Sequence, residues 1–202
     1  MTEFKNCLQQ VWHIERLGDQ AAEVELTLVD KFGEAILKMV RKVTKEGKEI
    51  YIDYFINGEH SGYLQIMSPE EAALHQLPIN SGEKIIYGDI NISKEVTDKF
   101  AEIGKVILDD TYEFMKKNKE IGEADGMIGF WKTDGVYNPY GGQSVNLKAF
   151  WEAVDNGMSY EEAAYETFSG KWAKAKGFKK AVIKDPSVNV LKTRVVVKFI
   201  KE

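Results

Sequence analysis

The sequence predicts an α+β protein, and three observations lead there. Val24, Leu26 and Leu28, then Ile50, Ile52, Tyr54 and Ile56, alternate with other residues as strands with one buried face do. Val96, Phe100, Ile103, Ile107, Phe114 and Met115 mark a stripe at helical spacing over about residues 93–120. Leu191, Thr193, Val195, Val197 and Phe199 alternate with Lys192, Arg194 and Lys198 in a closing strand. The expected architecture is an N-terminal antiparallel β-meander, a long central helix, and C-terminal helices followed by a basic β-hairpin.

Taken in order, Lys31-Phe32-Gly33-Glu34, Lys45-Glu46-Gly47-Lys48 and Asn57-Gly58-Glu59-His60 are turn signals between the first strands. The run 35–43 reads as a strand or as a short helix, and Tyr63 to Met67 as the next strand. Ser68-Pro69-Glu70-Glu71 offers an N-cap and a proline at the first helical position, predicting a helix over 69–77. After the long helix, six glycines fall within the 21 residues 122–142, mixed with Phe130-Trp131 and Tyr137-Asn138-Pro139-Tyr140; the aromatic content predicts an ordered loop. Asn146 can cap a helix ending at Asn156-Gly157, Ser159 with Glu162 forms a capping box, and a short helix over Lys171 to Lys176 should stop at Gly177. Lys179 to Lys184 and Val190 to Ile200 are the hairpin strands, joined at Asp185-Pro186-Ser187. Domain boundaries at 1–121 and 122–202 fit this reading, as does one continuous domain.

At 202 residues with 44% apolar content the chain can bury a core. Met1-Thr2-Glu3-Phe4-Lys5 lacks a signal-peptide pattern and no apolar run suits a spanning helix, which points to the cytoplasm and away from a membrane, with export by a specialised system left open. Cys7 is the single cysteine, so no disulfide forms within the chain and no thiolate cluster is available. His13, His60 and His75 would need the fold to bring them together to hold a metal; no metal or other cofactor is expected. Phosphate loops, nucleophile elbows and zinc-protease motifs are absent, and a Cys7 nucleophile with His13 as base rests on spacing alone.

Charge is uneven. Residues 169–202 carry ten Lys/Arg and two acids, a balance of +8; the other 17 basic and 30 acidic residues leave −13. A basic C-terminal region suggests a polyanion-binding face, with solvated lysines on an amphipathic helix and strand as the alternative. The densest constellation is Glu166, Thr167, Ser169 and Lys171. A helix N-terminus there would offer a phosphate backbone amides, a hydroxyl and an ammonium, with Glu166 or Glu162 as general base and Lys171 stabilising charge. Lys174, Lys176, Lys179, Lys180 and Arg194 would hold further phosphates. The competing reading makes Thr167 or Ser169 a helix cap and Tyr160, Ala164, Phe168 and Trp172 a packing stripe. Trp131, Tyr137 and Tyr140 could stack a base or fill a core.

Leu147-Lys148-Ala149-Phe150-Trp151, Gly157-Met158-Ser159-Tyr160-Glu161-Glu162-Ala163-Ala164, Thr167-Phe168-Ser169-Gly170-Lys171-Trp172-Ala173 and Gly177-Phe178 together resemble a segment near the ends of bacterial polymorphic toxins delivered by contact-dependent or type VII-like secretion. The resemblance spans about residues 125–184 and implies an effector of interbacterial competition, commonly a nuclease, with nucleic acid as substrate and a dedicated immunity protein as partner. The chain departs from many ribonucleases in having no histidine in its last 127 residues. The competing class is a non-catalytic binder, such as an immunity, anti-defence or phage accessory factor, presenting its acidic N-terminal surface to a basic partner.

Overall fold

A run of residues alternating in and out of a core forms a strand whose register is fixed by its buried face, and the first half of the chain is built this way. The computed structural model describes residues 21–29, 35–46, 49–74, 77–90, 92, 95–96, 102–118, 121–132, 145–184 and 192–201. The chain divides into two compact units, one of Met1–Ile66 with Gly88–Thr111, the other of Met67–Tyr87 with Tyr112–Glu202. Residues 122–132 of the glycine-rich segment thus belong to the second unit, together with residues that precede them. Cys7, His13, His75, Tyr137, Tyr140 and the turns at 31–34 and 185–187 lie outside the described residues.

In the first unit, β1 (Ala21–Val29), β2 (Ala35–Glu46), β3 (Glu49–Ile56) and β4 (Glu59–Met67) follow one another as an antiparallel meander. The run at 35–43 is therefore strand, continuing to Glu46 and paired along both edges. Asn57-Gly58 closes the β3–β4 hairpin with φ of 52° and 86°, the two left-handed residues that a tight hairpin of matching twist requires. Leu26, Leu28, Leu37, Met39, Ile52, Ile56 and Leu64 are buried.

Arg41 and Tyr54 continue the inward positions of β2 and β3, and both are buried. They meet Asp110 and Thr111 of α2 (Ile103–Lys117), whose residues to Thr111 belong to this unit. Arg41 Nη1 donates to both Asp110 oxygens at 2.9 and 2.8 Å, and the Tyr54 hydroxyl donates to Asp110 Oδ2 at 2.9 Å. The phenol has one proton, so the Thr111 hydroxyl, 2.7 Å away, is the donor in the remaining bond. Burial, reinforced by the Asp110 charge, pushes the Tyr54 phenol well above its ordinary value. The stripe expected over 93–120 is described as helix at Glu95–Val96 and from Ile103 to Lys117; residues 97–101 lie outside the described residues.

The second unit holds α1 (Pro69–Leu74), capped by Ser68 Oγ accepting from the Glu71 N–H at 3.1 Å, the strand β5 (Ile85–Ile90) as far as Tyr87, and the strands β6 (Gly126–Lys132), β7 (Lys180–Lys184) and β8 (Arg194–Ile200). Their order is β5-β6-β8-β7, with β5 and β6 parallel and the other pairs antiparallel. β6 replaces part of the loop expected across 122–142: Met127, Gly129 and Trp131 point to one face and pair with β8, so the glycines and aromatics there are strand residues. That face is covered by α3 (Val145–Asp155), α4 (Tyr160–Glu166) and α5 (Phe168–Ala175), with Trp131 5.9 Å from Phe150 and Phe199 5.4 Å from Tyr165 between ring centroids. On the other face Met67, Ala72, Leu77 and Ile85 pack over Ile128, with Val196 at the margin. The fold is α+β, and among the described residues no helix is long and apolar enough to cross a membrane.

Removing one member of the buried ion pair leaves the other charge unpaired. Arg41→Ala and Asp110→Ala should each cost about 3–5 kcal/mol in urea unfolding followed by circular dichroism. The paired substitution Arg41→Met with Asp110→Leu should recover most of that loss.

Candidate functional site

The expected phosphate cradle forms at the bend between α4 and α5, and its donors are already used. Thr167 ends one helix and caps the next: its hydroxyl accepts from the Gly170 N–H at 2.9 Å and donates to the Ala164 carbonyl at 2.7 Å, fully buried. The Lys171 N–H donates to the Thr167 carbonyl at 2.9 Å. The Ser169 N–H donates to Asn146 Oδ1 at 3.2 Å, while Asn146 Nδ2 donates to Ser169 Oγ at 2.8 Å. A phosphate would have to displace each of these bonds, so the cap reading accounts for Thr167 and Ser169. Asn146 is likewise not the cap of its own helix, which begins at Val145; it serves the start of α5.

Gly170 explains the sharpness of the bend. A Cβ there would lie 1.9 Å from the Ala164 carbonyl oxygen, so any larger residue would push α5 off the end of α4. Lys171 reaches back to Glu166 at 3.3 Å across an exposed pair. Glu162 closes the capping box, accepting from the Ser159 N–H at 3.0 Å and its hydroxyl at 2.8 Å, and these bonds hold its carboxyl below the ordinary value. A base working near neutral pH needs the opposite shift.

The basic residues separate into two groups. Lys174 and Lys176 lie over aromatic rings: Lys174 Nζ is 5.8 Å from the Tyr165 centroid, and Lys176 Nζ is 5.2 Å from that of Tyr112 and 5.9 Å from that of Trp172. Nearby, the Tyr112 hydroxyl donates to Glu123 at 2.5 Å and Lys201 pairs with Glu123 at 2.9 Å. The Tyr112 bond and then Lys201 hold Glu123 low, while burial and the bond to Glu123 raise Tyr112. Lys179 is exposed at the entrance to β7.

Lys180 and Arg194 belong to a sheet face that spacing along the chain did not suggest. Across β6, β8 and β7 the register aligns four rows: Lys132 with Arg194; Phe130 with Val196 and Lys184; Ile128 with Lys198 and Val182; and Gly126 with Ile200 and Lys180. None of the three strands contains an Asp or Glu. Lys180, Lys184 and Arg194 are exposed, as are Phe130 at 36% and Val182 at 40%. Lys132 Nζ stands 5.5 Å from the Phe130 ring centroid. Lys198, by contrast, is buried and paired with Glu83 at 2.5 Å. Burial draws the Glu83 carboxyl up, but bonds from the Asn80 N–H, Lys198 and the Asn80 amide outweigh it and hold the group below its ordinary value of 4.5.

Trp131, offered as a stacking residue, points to the buried face beside Phe150 and Phe199. Its neighbour Phe130 is the exposed aromatic of the strand. His60 bonds Asp53 at 2.9 Å, and among the described residues no group of acids, histidines and cysteines is arranged to hold a metal ion.

Two outcomes follow. Thr167→Ala should lower stability by about 1–2 kcal/mol, with Thr167→Ser close to the parent, as read from thermal melting. Because the Glu83 carboxyl is held low when folded, its contribution is present above its ordinary value of 4.5 and is lost as pH falls through the lower folded value. Glu83→Gln should therefore destabilise the protein at neutral pH, and melting curves of variant and parent should converge under acid. Searches against models of known protein families, curated proteins and solved structures found no match for this chain.

Proposed function

We propose that the second unit binds nucleic acid through the basic face of β6, β8 and β7. The observation that carries this reading is the row register, which gathers Lys132, Lys180, Lys184 and Arg194 on one face of three strands without an acidic residue. Phosphate polymers bind such faces because each neutralised phosphate releases condensed counterions. The face narrows the wider expectation of a +8 C-terminal region to Lys180, Lys184 and Arg194, and joins to them Lys132 of β6 from outside that region. In an effector of the kind residues 125–184 resemble, it would hold the substrate strand.

Binding finds more support than catalysis, since Thr167 and Ser169 spend their hydrogen bonds on the α4–α5 bend and Lys171 pairs with Glu166. The alternative, an acidic surface of the first unit that receives a basic partner, is weakened on β1. There Glu23 pairs with Lys42 at 3.2 Å and Glu25 with Lys38 at 3.1 Å, so these acids are neutralised across the strand pair.

The test is fluorescence anisotropy of a labelled oligonucleotide titrated with the full chain at several salt concentrations. Four phosphate contacts on a single strand predict a log–log salt slope of roughly −3, or about fifty-fold weaker binding between about 50 and 200 mM salt. Lys132→Ala, Lys184→Ala and Arg194→Ala combined should bring the slope to about −1 while melting stays near the parent. Absence of binding at low salt, or a triple variant equal to the parent, would sink the proposal.

A further inference from the structure

The same face carries an aromatic ring among its cations, and from this we infer that its ligand is single-stranded nucleic acid with a base stacked on Phe130. The inference rests on the basic-face reading and specifies the strand state of the ligand.

Phe130 sits on β6, an interior strand of the β5-β6-β8-β7 order, and is exposed on a face where Ile128 and Lys198 are buried. Lys184 shares its row, and Lys132 with Arg194 forms the next row. Two residues along a strand span roughly 7 Å, so a base on the ring leaves its own and its neighbour's phosphate within reach of these long side chains. Val196 beside the ring and Val182 on the row beyond supply an apolar floor. The Lys132 ammonium over the ring marks one aromatic face as available to a planar or cationic group; a stacked base takes that place, and the ammonium passes to a phosphate. Glu83 reaches this face and is paired with Lys198.

Geometry disfavours a duplex. Its bases are stacked on one another and offer no free ring surface, whereas an unpaired base does. A major groove about 12 Å wide admits a helix or a two-stranded ribbon, but three strands spaced about 4.8 Å apart fill that width before side chains are added.

The experiment titrates the full chain, by anisotropy at fixed low salt, into a labelled single strand and into the duplex of the same sequence, with inorganic polyphosphate as competitor. The parent should prefer the single strand by about ten-fold or more. Phe130→Ala should weaken single-strand binding on the order of ten-fold to a hundred-fold, leaving its salt slope and the polyphosphate competition unchanged. Phe130→Leu, which keeps apolar bulk without the ring, should lose nearly as much. Phe130→Trp should retain affinity and show indole fluorescence quenched by the single strand alone. Unchanged affinity in Phe130→Ala, or equal binding of the duplex, overturns the inference while leaving the basic face in force if the triple charge variant still binds more weakly and with the flatter salt slope. No binding of any polyanion would remove both.

Discussion

A strand bonded along both edges has its register fixed twice, and β8 is such a strand: seven of its residues pair with β6 and five with β7. The second unit depends on this constraint. On one side of β8, Val195, Val197 and Phe199 enter the core with Trp131 and Phe150; on the other, Arg194 and Val196 line the exposed rows. A slip of one residue would exchange the two sets, sending cations into the aromatic core. The register that secures the core therefore also builds the basic rows.

The α4–α5 bend illustrates how a sequence suggestive of chemistry can be absorbed by architecture. Short helices meeting at an angle leave amide groups to satisfy: the Thr167 hydroxyl accepts from the Gly170 N–H and Asn146 Oδ1 from the Ser169 N–H, while Ser169 Oγ accepts from the Asn146 amide. Gly170 lets the second helix approach so closely that no side chain fits between. What remains outward there is Lys171 on Glu166, an exposed pair of the kind worth about 1 kcal/mol or less. The lysines that follow either lie over rings or continue into β7, where pairing distributes them.

Local features are legible in the sequence because local physics sets them: the capping box at Ser159, the cap at Ser68, the Asn57-Gly58 turn and, in β8, the inward Val195, Val197 and Phe199 stand as expected, whereas Thr193 is exposed and Lys198, on the opposite side of the strand, is buried on Glu83. β5 went unread because Ile85-Ile86-Tyr87 is a short apolar run with no helical or alternating period. β6 was hidden by its glycines, which normally mark loops. Asp110 carried a signal of its own, an acid on the apolar side of a helix three residues after Ile107, and Arg41 continued the inward alternation of Leu37 and Met39. Each was visible as an anomaly, but their partnership spans 69 residues and only the tertiary fold supplies it. Phe130 adjoins Trp131 in the sequence, yet which of the two faces outward depends on pairing with a strand more than sixty residues away.

The order in which the segments leave the ribosome differs from the order in which the units can be completed. Residues Met67–Tyr87 belong to the second unit yet are made before Gly88–Thr111 of the first. Met67, Ala72, Leu77 and Ile85 thus emerge long before Ile128 and Val196, the residues that complete their cluster. At roughly 5–20 residues per second, the gap of about forty residues from Ile85 to Ile128, and of about a hundred to Val196, leaves that apolar surface waiting for a few seconds or more. The nascent chain carries an interval of vulnerability fixed by connectivity alone, during which a chaperone has an exposed segment to hold.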